Sequence, residues 1–153
     1  MDEKKTLENL QRQCSRAEHC SRDVYLKAVK SLEGDAAAAE RIVAALVKER
    51  YVDDLRYASA FAREKSSLQG WGEVKIRFQL RGKGIPEATI TEALGEIDKD
   101  KAADKLARLL AEKYKTLLGD PQCKLKLIRF ALGRGYGYDE VGPAVEETMN
   151  SNK

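Results

Sequence analysis

Few residues in this chain have types and spacings that could support catalysis. There is one histidine, His19, and it lies beside Cys20 in a charged stretch near the amino terminus. A nucleophile that uses a histidine base would need this residue, and so would most zinc sites. The sequence contains no GxxxxGK[ST] loop, no HExxH motif and no CxxC motif. These observations weaken the case for an enzyme.

Two further groups of polar residues allow a chemical and a structural interpretation. Cys14, His19, Cys20 and Cys123 could in principle provide four metal ligands, but their spacing is not that of a known zinc module. We favour ordinary buried thiols and expect no metal and no cofactor. Asp53-Asp54 precedes an amphipathic run, so we interpret this pair as helix caps and not as an acid–base pair.

Positive charge is concentrated in two stretches, although the net charge is only +3. Residues 61–83 and 120–137 are rich in Lys and Arg, whereas residues 86–104 carry six acids and two lysines. A cationic face beside Trp71 suits phosphate contacts, an acidic protein surface or solvent alone. The candidate binding residues are Arg63, Lys65, Lys75, Arg77, Arg81, Lys83, Lys124, Lys126, Arg129 and Arg134.

The segment from 73 to 81 predicts a helix that displays part of this charge. Arg77 and Arg81 are four residues apart and share one face. Val74 with Phe78, and Ile76 with Leu80, make two further apolar faces. We therefore expect this helix to pack on two sides and to expose the arginines.

The elements that position these residues are all predicted to be helices. The 153 residues are 42% hydrophobic and 35% charged, and they contain no convincing strand alternation. No apolar run approaches the roughly 18 residues of a membrane span, and the charged amino terminus leads into no secretory signal. Three cysteines without a signal fit a reducing cytoplasm. The Ser15-x-x-Glu18 sequence predicts a capping box that opens the second of nine helices.

The nine predicted helices fall into an internal repeat. A shift of 51 residues places Gly82-Lys83-Gly84-Ile85 on Gly133-Arg134-Gly135-Tyr136, and a shift of 48 places Gly34 on Gly82. The pattern predicts an all-α fold of three tandem three-helix repeats, elongated and curved. The predicted repeats cover residues 1–52, 53–98 and 99–150, followed by a tail at 151–153.

Four segments of the chain resemble motifs of one known family. Residues 51–61 (YVDDLRYASAF) resemble the (F/Y)(I/V)D(D/E)xR(F/Y)AxxF signature of the RecX family, whose members regulate the RecA recombinase. Residues 71–85 and 126–136 are similar to the G…(K/R)I…KGI and KLxRFLxxRGF segments of that family, and residues 14–18 fit its SRxEL start. The resemblance covers about residues 7–148. Gly142-Pro143 departs from it inside the last predicted helix.

The resemblance implies a non-enzymatic protein with three tandem three-helix repeats, and we expect it to be a monomer in the cytoplasm. The resemblance also implies binding to the RecA filament on single-stranded DNA, with weak contact to duplex DNA, and no membrane association. The expected outcome is inhibition of strand exchange and of ATP hydrolysis by RecA, and thus regulation of DNA repair, homologous recombination and the SOS response. Two alternatives remain: a helix-turn-helix transcription regulator, and a helical scaffold with no nucleic-acid role.

Overall fold

The computed structural model describes residues 2–151, and that part of the chain contains nine helices and no strand. The prediction of an all-α fold is therefore confirmed. The helices are α1 (Glu3–Arg16), α2 (Ser21–Ser31), α3 (Ala36–Lys48), α4 (Asp54–Ser67), α5 (Glu73–Gly82), α6 (Glu87–Leu94), α7 (Lys99–Lys115), α8 (Cys123–Gly133) and α9 (Tyr138–Ser151).

The chain forms two compact units, each assembled from two separate segments. The first unit combines Met1–Ala60 with Leu80–Ala93, and the second combines Phe61–Gln79 with Leu94–Lys153. Helices α4 and α5 therefore contribute residues to both units, and α6 contributes its last residue, Leu94, to the second.

In the first unit, helices α1, α2 and α3 pack against one another. Each helix presents apolar residues four positions apart, which places them on one face. Val24 and Ala28 of α2 and Ile42 and Leu46 of α3 are buried together with Leu10 of α1. This shared core explains why three short helices form a stable arrangement.

The predicted boundary between the first two helices is wrong. Helix α1 continues through Ser15 to Arg16, and the Ser15 hydroxyl donates to the Gln11 carbonyl at 2.8 Å. A serine inside a helix commonly bonds to the carbonyl four residues earlier, so it cannot act as an amino-terminal cap there. Helix α2 begins at Ser21 instead, and its N-cap residue Cys20 makes no side-chain capping bond.

Asp53 and Asp54 are capping residues, but they cap two different helices. The Asp53 Oδ1 accepts from the Arg56 backbone N–H at 3.0 Å, which confirms the predicted cap of α4. The Asp54 carboxylate instead accepts from the Ser21 N–H at 2.8 Å and from the Ser21 hydroxyl at 2.6 Å. Asp54 therefore supplies to α2 the cap that Cys20 does not provide.

Helix α5 buries one apolar face and not two. Ile76 and Leu80 are fully buried, whereas Val74 is 60% exposed and Phe78 is 67% exposed. The expectation that α5 packs on two sides is therefore wrong. Apolar residues at i and i+4 indicate that a face exists, but they do not determine whether another element covers it.

In the second unit, helices α7, α8 and α9 pack against one another around a second core. Leu106, Leu110, Leu127, Val141 and Val145 are its buried centre. Pro143 lies inside α9, which already begins at Tyr138. The proline therefore does not mark the first turn of this helix.

The third helix of each successive set of three recurs at a constant interval. Helices α3, α6 and α9 begin at residues 36, 87 and 138, which are 51 apart. The turn before each of them contains the same type of backbone hydrogen bond, an N–H that reaches the carbonyl five residues earlier. These bonds join Gly34 to Val29 at 2.9 Å, Ile85 to Leu80 at 3.2 Å and Tyr136 to Ala131 at 3.3 Å.

A left-handed residue occupies the same place in each of these turns. Gly84 has φ +78° and Gly135 has φ +94°, as the repeat predicts for the residue that ends a helix, and Glu33 occupies the equivalent place with φ 53°. These turns correct the alignment of the first three-helix repeat with the second. The structure aligns Gly34 with Ile85, so the shift of 48 that placed Gly34 on Gly82 is wrong.

Candidate nucleic-acid interface

The loop between α4 and α5, residues 68–72, is fixed to the turn that follows α8. The Gly72 N–H donates to the Arg134 carbonyl at 2.9 Å, and the Val74 N–H donates to the Gly135 carbonyl at 3.0 Å. The Arg134 guanidinium donates to the carbonyls of Gln69 and Gly70. These bonds satisfy backbone donors at the start of α5 and fix the position of the loop.

This close approach requires glycine on both sides. A Cβ atom at Gly72 would lie 2.3 Å from the Gly135 carbonyl oxygen. A Cβ atom at Gly135 would lie 2.2 Å from the Cβ of Lys75. Because real Cβ atoms do not approach that closely, the two glycines determine how α5 is placed against the turn after α8.

Trp71 lies at the centre of this loop and orders two of the predicted cations. Its half-buried indole contacts the Phe61 ring edge-on, with ring centroids 6.2 Å apart. The Lys75 Nζ lies 4.3 Å from the indole centroid, and the Lys65 Nζ lies 5.0 Å from it. Cation–π attraction of this kind holds each ammonium near the ring and leaves its N–H donors available.

Two more cations lie at the same loop. A Cβ atom placed at Gly70 would lie 3.1 Å from the Arg134 Nη2 and 3.3 Å from the Lys105 Cε. Lys105 is absent from the sequence-based set because it belongs to α7, and no sequence pattern links it to Trp71. Lys65, Trp71, Lys75, Lys105 and Arg134 form what we call the loop cluster. Such a concentration of positive charge attracts phosphate groups.

Most of the other predicted cations are engaged in ion pairs. The paired residues are Arg63 with Glu96 at 3.4 Å, Lys83 with Asp23 at 2.9 Å, Lys126 with Asp120 at 2.5 Å, Arg81 with Glu87 and Lys124 with Glu146. Arg77 is half-buried. Arg129 is exposed and forms no ion pair within residues 2–151. The predicted cations therefore differ in how freely they could meet an anionic partner.

The Lys83–Asp23 pair shows how strongly one of these cations is held. Burial alone would raise the pKa of Asp23, but the Lys83 ammonium, with smaller contributions from Cys20 and Lys27, outweighs it and the net pKa is lowered. The same contact raises the pKa of Lys83. Lys83 therefore acts first as a structural partner of α2.

The YVDDLR part of the 51–61 motif also has a structural role. The Arg56 Nε donates to Glu18 at 2.5 Å, and its Nη2 donates to the carbonyls of Arg50 and Tyr51 at 3.1 and 3.3 Å. Asp53 and Asp54 are the helix caps described above. These residues join α4 to the α1–α2 and α3–α4 connections and contribute no free charge to the loop cluster.

The cysteines do not form a metal site in the described structure. Cys14, Cys20 and Cys123 are free and buried, and burial raises the pKa of the Cys20 thiol. Residues 2–151 contain no cluster of three His, Cys, Asp or Glu side chains that could hold a metal ion. No helix among the same residues is long and apolar enough to cross a membrane.

Comparison with known proteins shows similarity to the RecX family. The family model described as "RecX, second three-helix domain" matches residues 53–94. The chain is 31% identical over 135 residues to Regulatory protein RecX of Clostridium tetani and 36% identical over 121 residues to that of Clostridium botulinum strain Alaska E43. The chain is thus similar to RecX proteins over most of its length, and residues 53–94 match a domain model of that family. The alignments cover 86% and 76% of this chain but only 61% and 56% of the two relatives.

Solved RecX structures share this fold. The crystal structure of RecX from Lactobacillus salivarius superposes with a TM-score of 0.85 at 20% identity, covering 95% of this chain and 96% of that one. A second RecX crystal structure gives a TM-score of 0.84 at 21% identity and covers 95% of this chain and 71% of that one. At 20–21% identity, these matches show that this chain and the RecX structures share a fold, and they show no more than that.

Proposed function

We propose that this chain binds the RecA filament on single-stranded DNA and inhibits RecA-dependent strand exchange and ATP hydrolysis. Similarity to RecX proteins over most of the chain is the observation that carries the proposal. The protein would act as a monomer in the cytoplasm, without a cofactor, and would regulate DNA repair and recombination. Duplex DNA would be bound weakly by the same cations.

The loop cluster supports the nucleic-acid part of the proposal. Trp71 and the bonds of Arg134 hold the surrounding ammonium and guanidinium groups near one loop. Preordered cations lose little side-chain entropy when they meet phosphates, and they release counterions from the DNA. The exposed Arg129 is a second candidate phosphate contact. Arg63, Arg81, Lys83, Lys124 and Lys126 would contribute less because they already have acidic partners.

The domain boundaries form part of the same proposal. We assign the three repeats to residues 1–52, 53–98 and 99–150, and a short tail to 151–153. The recurrence of the helix starts at 36, 87 and 138 supports this division. Three similar helical repeats along one chain suit a partner that is itself a repeating filament.

Co-sedimentation distinguishes the proposal from the two alternatives. The chain is centrifuged with RecA filaments on single-stranded DNA, with RecA alone, and with duplex DNA alone. We expect the chain in the pellet with the filament and far less of it with duplex DNA. Binding to duplex DNA that RecA does not improve would favour the transcription regulator and overturn the proposal. Absence from every pellet would favour a scaffold.

A further inference from the structure

A groove between α7 and α9 is lined by none of the cations discussed above. Its volume is about 460 Å³, within the usual range of roughly 300–1,000 Å³ for ligand pockets. Small side chains make its floor, among them Ala102, Ala107, Ala111 and Pro143. A floor of alanines lets a neighbouring backbone or a short apolar side chain approach closely.

The rim of this groove is acidic. Asp139, Glu140 and Glu147 line it and are exposed, and no Lys or Arg lines it within the described residues. The negative charges of this rim repel the phosphates of a nucleic acid and attract cationic groups. The groove therefore differs in charge from the loop cluster.

One polar group lining the groove has no partner. Tyr136 is 4% exposed, and its hydroxyl has no hydrogen-bond partner in the described structure. A buried hydroxyl without a partner is costly, and native structures usually supply one. An approaching carbonyl group would provide the missing acceptor.

We infer that this groove receives a short cationic segment of RecA, with a small apolar side chain on the alanine floor and a Lys or Arg on the acidic rim. The inference rests on the proposed function, which supplies the partner. It adds a protein contact of opposite charge to the DNA contact at the loop cluster. One surface would recognise the protein of the filament and the other its nucleic acid.

The test uses substitutions at the groove and matched substitutions on the opposite face of α7. Glu147→Lys reverses the rim charge, and Ala107→Trp fills the floor. Both positions are exposed in the absence of a partner, so folding should be retained. Glu112→Lys and Glu112→Trp are the controls, because Glu112 is exposed on α7 and does not line the groove. Affinity is measured for preformed RecA filaments and for single-stranded DNA alone.

We expect both groove variants to bind the filament at least tenfold more weakly than the wild type and the Glu112 controls. Glu147→Lys should bind DNA alone as well as the wild type or more tightly, because it adds positive charge. A photo-crosslinking residue at Ala107 should attach to a Lys- or Arg-containing RecA peptide.

Three results would overturn the inference. They are unchanged filament binding by both groove variants, crosslinks to DNA, and crosslinks to a second copy of the chain. A wild-type chain that does not bind filaments overturns the proposed function, and this inference with it. A wild type that binds while the groove variants bind equally well overturns the inference alone.

Discussion

At Gly135 the turn after α8 passes so close to α5 that a methyl group has no room. The residue has φ +94°, and a Cβ there would lie 2.2 Å from the Cβ of Lys75. We expect Gly135→Ala to lower the free energy of unfolding by about 2–4 kcal/mol, since overpacking adds to the cost of the left-handed backbone. Urea denaturation measures the change.

Two other glycines provide a graded control for this substitution. Gly84 has φ +78° and meets only the flexible Arg22 side chain at 3.3 Å, so Gly84→Ala should cost about 1 kcal/mol. Gly133 lies in α8 with nothing within 4 Å of its Cβ position, so Gly133→Ala should be neutral or stabilising. Equal effects at Gly135 and Gly133 would contradict the close approach of the turn.

Lys83 offers a prediction that depends on pH. Because the folded pKa of Asp23 is lowered, the Lys83–Asp23 pair stabilises the fold above the unfolded aspartate pKa of about 3.9. That stability is lost as the pH falls through the lower folded value. Lys83→Met should therefore destabilise the protein at pH 6 by about 0.2–1 kcal/mol, the range of a partly exposed pair.

The measurement is urea denaturation of the wild type and the variant at pH 6 and at pH 2. The difference between the two proteins should shrink at the lower pH. Lys4→Met, at an exposed position of α1, is the control. A difference that stays constant or grows on acidification would contradict the assigned role of the pair.

At the scale of the element, we expect substitutions on the two apolar faces of α5 to have very different effects on stability. Ile76 is fully buried, so Ile76→Ala should cost about 2–5 kcal/mol of unfolding free energy. Phe78 is 67% exposed, so Phe78→Ser should change stability by no more than about 0.5 kcal/mol. Thermal denaturation of both variants, beside an exposed Gln79→Ser control, is the check. Strong destabilisation by Phe78→Ser would restore the original expectation that both faces are packed.

The sequence predicts what depends on neighbouring residues and fails where distant residues meet. The helix periodicity, the Asp53 cap and the left-handed Gly84 and Gly135 follow from local spacing, and the structure contains all of them. The cap that Asp54 provides to Ser21 joins residues 33 positions apart, and no local pattern indicates it.

The same limit applies to the candidate site. The sequence predicts Lys65 and Lys75 as binding residues, but their common contact with Trp71 appears only in the folded chain. Lys105 reaches the loop from α7, a helix that begins in an acidic stretch, and charge counts along the sequence therefore gave no reason to include it. Composition locates charge along the chain, whereas the fold determines which charges act together.

At the scale of the whole molecule, the starts of α3, α6 and α9 recur every 51 residues, and the loop cluster orders positive charge around Trp71. The repeat places similar turns after the second helix of each set. The second unit adds to this scaffold the loop cluster and an acidic groove. We therefore expect the effects of substitution on RecA to depend on position and not on net charge alone.

The most direct test of this account is the inhibition of RecA-dependent ATP hydrolysis across a salt series. The wild type is compared with a Lys65→Gln/Lys75→Gln variant and with a Lys4→Gln/Lys5→Gln control, which removes the same charge from exposed positions of α1. We expect the loop-cluster variant to inhibit at least tenfold more weakly and its log–log salt slope to fall by about 1.4, since each lost phosphate contact on a single strand contributes about 0.7. The control should inhibit like the wild type. Equal losses in both variants, or none in either, would contradict the assignment of filament binding to the loop cluster.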